Sequence, residues 1–564
     1  MKLRRTMLAL LAATAIAGCQ PAAPKIDFTT FTQNTIDGWL QQDPYFAVYE
    51  GAHQFDGKWA DWTPAGLKAR GDFLRGVIAS AKGYDGLSKD DAFTRDYMVK
   101  VAEGQLFWLE EADQPRKNPA WYVGAFDPNV YLTREYADRP TRLKALLAFL
   151  QGVPAAASQV QANLKGPLPK SFIQFGASAF GGYAEFYKGD MLKAFADVKD
   201  PALQQQVADA AIKASAAMDG LTVWLKGQEG SATQDFVLGE AKFSRMLSAT
   251  EGVDVSLGEL ETAGQADLKR NQDALTAECA KFAPGQSVQG CMLKLNADRP
   301  DGGAVAEATR QIPALTAFVK AQDLVSIPGT EQALVRQSPP YNAQNGAYID
   351  PPGPFEQGIP SIYYIAAPDP SWPKEKQLAY IPGKKDLLFT SVHEVMPGHF
   401  LQFLHANRSS SMFGRLFVGY AFAEGWAHYS EEMMWEAGYG AGDPATHIGQ
   451  LSNALLRDCR FLSAIGMHAR GMTQEQSKQM FITQCFQDEG TAEQQAARGT
   501  YDPAYLNYTL GKLMIRKLRD DWTASRGGRT GWKAFHDTFL SYGGPPIPLV
   551  RQSMLGEKEA KAAF

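Results

Sequence analysis

Apolar residues recur over most of the chain with the three- and four-residue spacing of amphipathic helices. Behind Thr63-Pro64, a capping threonine followed by a proline suited to the first helical turn, apolar positions form one stripe that runs to Ala81. Ser88 gives the same start signal, and Asp200-Pro201 gives it again before a longer stripe. The first half of the chain is therefore predicted to be built from helices.

Two further helices are predicted by their ends as well as by their apolar faces. Ser256 and Glu259 form a capping box in front of a long amphipathic segment. The apolar face Leu143–Leu150 is followed by Gly152 and Pro154, two residue types that commonly end a helix. We expect this second helix to stop there.

The pattern changes at about residue 336. Gly346–Asp350 and Ser361–Ala366 are short β-branched and aromatic runs bounded by proline and glycine, so they predict a small sheet whose strands lie at edges. An edge strand can bind an extended peptide through backbone hydrogen bonds. A purely structural platform is equally consistent with these residues.

Helical periodicity returns after Thr390 and covers residues 417–435, 445–468, 473–486, 504–522 and 532–542. From Gly543 onward the residues predict a loop and a short closing turn. The expected fold class is mainly α, with one small β-sheet ahead of the helix that carries the histidine motif described below.

The N-terminus has the layout of a lipoprotein signal. Three basic residues precede an apolar run that ends in Ile16-Ala-Gly-Cys19, and small residues before a cysteine suit cleavage and lipidation at Cys19. Because the run is too short for a permanent membrane span, we expect export and attachment through lipid chains, with Gln20 favouring the outer membrane. The predicted organisation is a signal peptide (1–18), a lipidated tether (19–27), a helical N-terminal part (28–335) and a part with the sheet and the histidine motif (336–564), the last two packed as one unit.

Composition narrows the classes of partner. The 564 residues are 45% hydrophobic and 21% charged, as in ordinary globular proteins, and their net charge of −5 without a basic block argues against nucleic acid. Apart from Cys19, four cysteines allow three disulfide pairings. Nearest neighbours give Cys279 with Cys291 and Cys459 with Cys485, and free buried thiols are the alternative.

Candidate chemistry concentrates between His393 and His468, a window that holds six of the eight histidines. In the usual zinc motif His-Glu-x-x-His, two histidines four residues apart share one helix face and the glutamate lies beside the metal. Here His393-Glu394 and His399 give a spacing of six, about 240° around an unbroken helix, so the rings share an ion only if Pro397-Gly398 breaks the helix. The alternative is a kinked helix whose histidines form only local hydrogen bonds.

A third ligand is expected from the next helical segment. Glu424 lies thirty residues after Glu394 in an apolar, aromatic run, where a carboxylate is costly unless it is paired or bound to a metal. His428 follows on the same helix face and can act as an alternative ligand or as a supporting hydrogen-bond donor. Glu431 and Glu432 are expected to be solvated or supporting acids.

With these motifs in place, the sequence resembles the bacterial family known as domain of unknown function 885, whose members are often lipoproteins and are grouped with the gluzincin metallopeptidases. The likeness extends over nearly all of the mature chain, more weakly in the N-terminal helices. It rests on residues 393–399 with Gln402, and on residues 424–429, 456–468 and 508–512.

The resemblance implies a large helical, gluzincin-type scaffold with a deep cleft. It also implies a Zn²⁺ ion held by His393, His399 and Glu424, with Glu394 as the general base and acid. The Pro-Gly form of the motif looks like the pattern of the family itself, so the unusual spacing is not a sign of decay.

Two further roles follow from the resemblance. Tyr508 or His428 is expected to stabilise the oxyanion formed during hydrolysis, a contribution typically worth about 10²–10³ in rate. Arg498 and Tyr501 are candidates for a clamp on a substrate carboxylate, and a surface ion pair is the alternative.

The expected function is therefore zinc-dependent hydrolysis of peptides at the cell envelope. Two other interpretations stay open: a non-catalytic peptide-binding or structural lipoprotein of the envelope, and a metal-dependent amidase or esterase. The sequence sets neither the cleavage preference nor the choice between exo- and endopeptidase action.

Overall fold

The computed structural model describes residues 26–339, 346–368 and 372–564. The predicted signal peptide (1–18) and the lipidation residue Cys19 lie outside the described residues. Within these ranges the chain forms 26 α-helices and one three-stranded sheet, so the prediction of a mainly α fold with one small sheet is confirmed.

Fifteen helices precede the sheet. They are α1 (Phe28–Gln42), α2 (Pro44–Tyr49), α3 (Pro64–Lys82), α4 (Lys89–Leu106), α5 (Gln114–Lys117), α6 (Ala120–Val123), α7 (Asn129–Thr133), α8 (Arg139–Asn163), α9 (Lys170–Lys188), α10 (Asp190–Lys193), α11 (Pro201–Lys226), α12 (Glu240–Glu251), α13 (Leu257–Phe282), α14 (Val288–Ala297) and α15 (Ala304–Ala321).

The sheet has the strand order β1-β3-β2, formed by β1 (Ala333–Gln337), β2 (Ala347–Asp350) and β3 (Ser361–Ile365). β3 pairs in parallel with β1 and antiparallel with β2, so it lies in the centre. The expectation that both predicted strands lie at edges is wrong for β3, because prolines flank this strand and leave its own N–H groups free to pair. β1 was not predicted.

Eleven helices follow the sheet. They are α16 (Lys374–Tyr380), α17 (Lys384–Glu394), α18 (His399–Ala406), α19 (Met412–Leu416), α20 (Tyr420–Glu436), α21 (Pro444–Ala469), α22 (Gln474–Thr483), α23 (Glu489–Tyr501), α24 (Asn507–Thr523), α25 (Trp532–Ser541) and α26 (Ile547–Leu555).

The predicted helix starts are confirmed where side chains cap them. The Thr63 hydroxyl accepts a hydrogen bond from the Gly66 N–H (3.1 Å) at the start of α3. Ser256 and Glu259 form both hydrogen bonds of a capping box at the start of α13. These signals are local, which is why the sequence reveals them.

The expected stop of α8 is wrong, since this helix continues through Gly152 and Pro154 to Asn163. Gly152 serves packing instead: a Cβ there would lie 2.2 Å from the Trp59 indole. By length and composition α8 could cross a membrane, but its apolar side chains are buried in the protein interior.

The chain end is also more regular than expected, because α26 occupies the segment predicted to be a loop and turn. The prolines that suggested a loop, Pro546 and Pro548, stand before and within its first turn. Proline is tolerated there because the N–H groups of a first turn have no partner within the helix.

Buried apolar side chains form two clusters. The N-terminal core is built mainly from α1–α11 and receives Phe413, Leu416, Phe417 and Leu549 from the C-terminal half. The site core comes mainly from α12–α15, the sheet and the helices after α16. The predicted disulfides Cys279–Cys291 and Cys459–Cys485 both lie in the site core and are confirmed.

A cleft of about 670 Å³ lies where the N-terminal helices meet the C-terminal half. Tyr45 from α2 and Lys100 from α4 line it together with Phe403 from α18 and Tyr420 from α20. The expected cleft is thus present, and it reaches α18, the helix that begins at His399.

Candidate metal centre

The histidine motif spans a break between two helices. α17 ends at Glu394 and α18 begins at His399, and the Gly398 N–H bonds back to the Val392 carbonyl (2.9 Å). Only glycine fits this turn, because a Cβ on Gly398 would lie 1.8 Å from the His393 carbonyl oxygen. The break predicted at Pro397-Gly398 is confirmed.

The break turns the two histidines toward one glutamate of α20. His393 Nε2 and His399 Nε2 each lie 3.2 Å from the same Glu424 oxygen, Oε2. The two rings are perpendicular, with their centroids 4.8 Å apart. One potential ligand atom from each of the three residues lies within 4.8 Å of the others, so the group could hold a metal ion.

The donor set suits zinc. Two ligands about 2.0–2.2 Å from a tetrahedral zinc ion are roughly 3.3–3.6 Å apart, close to the two 3.2 Å separations. Two imidazoles and a carboxylate are a ligand set of catalytic zinc sites, which leave a fourth position for water. The Glu424 side chain remains 21% exposed, so solvent can reach that position.

A second glutamate of α20 supports His393 from behind. Glu431 Oε1 lies 2.7 Å from His393 Nδ1, on the side of the ring away from Glu424. Such a carboxylate fixes the orientation of a metal-binding imidazole and leaves its other nitrogen free for the metal. Glu431 is fully buried and lies 3.6 Å from Arg457, which compensates its charge.

These contacts set the electrostatics of the centre. Burial alone would lower the pKa of His393, but its hydrogen bonds with Glu424 and Glu431 outweigh this and raise the pKa to about 9. Burial likewise opposes ionisation of Glu424, yet the neighbouring His399 and the hydrogen bonds from both histidines hold its pKa well below the usual range. Without an ion, the glutamates therefore stabilise protonated imidazole, and a divalent cation can supply the same positive charge.

Glu394 is the buried carboxylate next to the triad. It is 8% exposed, and its carboxylate forms no hydrogen bond or ion pair with other residues in the described part of the chain. Burial raises its pKa, against the opposing charges of His399 and His393. Its position leaves the carboxylate available to a water molecule beside the triad.

His428 lies deeper than the oxyanion role requires. Its ring is fully buried and sits 3.4 Å from Glu431 Oε2. Burial lowers its pKa to about 4, and the nearby Lys512 contributes in the same direction. The structure thus places His428 behind Glu431 and away from solvent, and its role in stabilising the oxyanion stays a prediction.

Tyr508 lies beside the triad, as expected. Its ring is 6.0 Å from the His393 ring and 5.9 Å from the Tyr420 ring, and the Arg460 guanidinium lies 4.6 Å from its centroid. Burial raises the pKa of the phenol, and the Glu424 carboxylate adds to this. The hydroxyl is therefore protonated at neutral pH and able to donate a hydrogen bond.

The two proposed clamp residues have separate partners. Arg498 donates to the Asp502 carboxylate (3.0 Å) and to the Tyr420 hydroxyl (2.9 Å), which matches the ion-pair alternative. Tyr501 stacks its ring on Phe175 of α9, with centroids 4.2 Å apart. The structure brings Arg498 to the edge of the cleft and directs Tyr501 into packing.

Glu431 has the second of the two positions expected for it. It was expected to be a solvated or supporting acid, and it is fully buried and contacts a triad histidine. Its spacing of seven from Glu424, two helical turns, places both carboxylates on one face of α20. This spacing is the signal that could have identified it.

Fold and site together define a mainly helical protein with a buried His-His-Glu group able to hold a metal ion. The chain belongs to the bacterial family of proteins of unknown function DUF885, which it matches over residues 44–554. No curated protein matches the chain.

Two solved structures share the fold, and a third aligns only weakly. A "putative lipoprotein of unknown function" from Shewanella oneidensis is 24% identical with a TM-score of 0.77, over 94% of this chain and 100% of that one. A "putative lipoprotein" from Colwellia psychrerythraea is 17% identical with a TM-score of 0.79, over 94% and 98%. An M32 carboxypeptidase from Deinococcus radiodurans R1 aligns at 10% identity with a TM-score of only 0.36, over 93% and 97%.

Proposed function

We propose that this protein is a zinc-dependent peptidase of the cell envelope. The observation that carries the proposal is the convergence of His393, His399 and Glu424 beside the unpaired carboxylate of Glu394. A buried carboxylate without a partner is unfavourable, and a catalytic base is a common reason for keeping one.

In this proposal His393, His399 and Glu424 hold the ion, and Glu431 orients His393. A bound zinc ion lowers the pKa of water to about 7 and polarises a carbonyl group. The Glu394 carboxylate accepts a proton from the attacking water and passes it to the leaving amine. The Tyr508 hydroxyl donates a hydrogen bond to the developing oxyanion.

The cleft supports a peptide as the substrate. Its volume of about 670 Å³ accommodates several residues, and its lining includes Tyr420, one helical turn before Glu424, and Phe403, whose ring lies 6.5 Å from His399. An extended chain in the cleft therefore passes beside the triad. The aromatic lining offers apolar contacts for its side chains.

The proposed location is the bacterial cell envelope, on the periplasmic side or at the surface, through lipidation of Cys19, with the outer membrane as the more specific expectation. The two solved structures that share the fold are described as a "putative lipoprotein of unknown function" and a "putative lipoprotein", which supports this location. Membrane contact is expected only through the anchor, and nucleic acid is not an expected partner.

The test is Glu394→Gln, with the surface change Glu229→Gln as the matched control. We expect Glu394→Gln to retain one zinc per chain and its fold while kcat on a mixed peptide library falls by at least about 10³-fold. The control should cleave like the wild type. Full turnover by Glu394→Gln would remove it as the base.

The same assay separates the alternatives. Protein that binds neither zinc nor another divalent ion, and cleaves no peptide, would favour a binding or structural lipoprotein. Zinc-dependent turnover of an amide or ester, without peptide products in the mass spectrum, would identify an amidase or esterase instead.

A further inference from the structure

A buried carboxylate faces the cleft without a cation beside it. Glu251, the last residue of α12, is 2% exposed and lines the cleft. Its Oε1 accepts a hydrogen bond from Asn507 Nδ2 (3.0 Å), while its Oε2 has no hydrogen-bond partner among the residues that the structure describes. Burial raises its pKa to about 7, against the opposing effects of the Ala421 N–H and Asn507.

A second carboxylate of the same cleft is also unpaired. Glu50 follows α2 and lines the cleft, and its side chain forms no hydrogen bond or ion pair within the described ranges. Burial raises its pKa to about 8, although the Arg134 charge opposes this. The C-terminal ends of α2 and α12 thus each place in the cleft an acid that forms no ion pair within the described ranges.

The two basic residues of the lining form no ion pair with Glu251 or Glu50 within the described part of the chain. Lys100 pairs with Glu103 (3.1 Å), and Arg415 donates to the Ser409 carbonyl (2.6 Å). Asp502, the third acid of the lining, pairs with Arg498, as described above. A carboxyl group in such a position is stabilised either by protonation, which its raised pKa favours, or by a positive partner, and a positive partner of Glu251 and Glu50 would come from outside the described residues.

Glu251 is linked to the metal centre through one short segment. Its partner Asn507 is followed by Tyr508, whose ring lies over His393. Aromatic rings of the lining, including Trp108 and Phe417, can add cation–π attraction to a positive group. A molecule that places a cation beside Glu251 can therefore extend along this segment toward the triad.

We propose that Glu251, assisted by Glu50, binds a cationic group of the substrate, so that the cleft selects peptides carrying an ammonium or guanidinium group near the bond to be cleaved. The inference rests on the proposed peptidase function. The cationic group is either the free N-terminal amine or a basic side chain, and both present the same N–H donors to a carboxylate.

The test measures binding separately from cleavage. Isothermal titration uses the zinc-loaded full chain with Glu394→Gln, which is expected to bind the probes without cleaving them, while cleavage is measured on the chain with Glu394 intact. The three probes of equal length are Ala-Ala-Lys-Ala, its N-acetylated form, and the counterpart with norleucine in place of lysine. We expect the chain with the wild-type cleft to bind at least one cationic probe about 10- to 100-fold more tightly than the matched probe lacking that charge. Glu251→Gln, which keeps the shape and the acceptor for Asn507, should abolish this preference.

Glu50→Gln provides a second variant and Glu229→Gln the surface control. A preference lost on acetylation identifies the N-terminal amine, and a preference lost with norleucine identifies the side chain. Equal affinity of the wild-type cleft for all probes, or an unchanged preference in both cleft variants, would overturn the inference. Glu251-dependent binding without any cleavage would leave the inference standing and refute the peptidase, whereas cleavage without charge preference would do the reverse.

Discussion

The carboxylate behind His393 gives the sharpest quantitative prediction. Replacing Glu431 with glutamine removes its charge but keeps an oxygen that can accept a hydrogen bond from His393 Nδ1, now 2.7 Å away. The His393 ring therefore keeps its orientation, and its hydrogen bond loses only the extra strength that a charged acceptor provides. The structure thus predicts weaker metal binding rather than loss of the site.

The size of the effect follows from the difference between two hydrogen bonds. A bond to a charged acceptor contributes about 1.5–3 kcal/mol and a neutral one about 0.5–1.5 kcal/mol, so the change removes about 1–1.5 kcal/mol. This corresponds to about a tenfold rise in the Kd for zinc, at the lower end of the effects typical for carboxylates behind metal ligands.

The assay is competition for zinc against a chromophoric chelator, with Glu432→Gln as the matched control. Glu432 is the adjacent buried acid, but it contacts Arg270 (2.9 Å), Arg516 (3.0 Å) and Lys512 (3.7 Å) instead of a histidine. Its replacement should lower the free energy of unfolding and leave zinc affinity unchanged. Wild-type affinity in Glu431→Gln, or equal weakening in both variants, would refute the reasoning.

Three further predictions concern the surrounding fold. Gly398→Ala should displace the His393 carbonyl and abolish zinc binding in a metal titration. The control Gly258→Ala, at an open helical position, should keep zinc and stabilise the protein by about 0.5–1 kcal/mol. Zinc binding by Gly398→Ala would contradict the turn geometry. Removing Cys459–Cys485, which closes 26 residues, should lower the free energy of unfolding by about 3.5 kcal/mol in denaturant titrations, and an unchanged midpoint would show that the bridge contributes little. Burial lowers the pKa of His468 to about 4, so between about pH 6.5 and pH 4 the unfolded form takes up a proton and the folded form does not. The free energy of unfolding therefore falls as the pH is lowered through this range. His468→Gln should reduce this pH slope by about 1 kcal/mol per pH unit, and a slope equal to that of the wild type would contradict the burial.

Local signals made much of the fold predictable. Thr63 and the Ser256 capping box act on N–H groups three residues away, so the sequence contains all that is needed to read them. Gly152 misled because the reason for this glycine, the indole of Trp59, lies more than ninety residues away along the chain. β1 escaped prediction because its evidence is its pairing with β3.

The candidate site likewise has features that the sequence predicted and features that depend on the packing of distant segments. The spacing of His393 and His399 required a break, and Pro397-Gly398 identified its place. The depth of His428 and the contact of Glu431 with His393 depend on how α17 and α20 pack, which single-residue spacing does not specify. The unpaired state of Glu251 depends on three separate segments and could be seen only in the folded chain.

Zinc reconstitution of chelator-stripped protein tests the central claim most directly. Peptide cleavage, followed by mass spectrometry of the products, should return in proportion to added zinc and saturate at one equivalent per chain. Glu424→Gln removes the charge of the proposed metal-binding carboxylate that both histidines contact, so this variant should fail to recover activity at that concentration. Cleavage that survives complete metal removal, or full recovery in Glu424→Gln, would contradict the account.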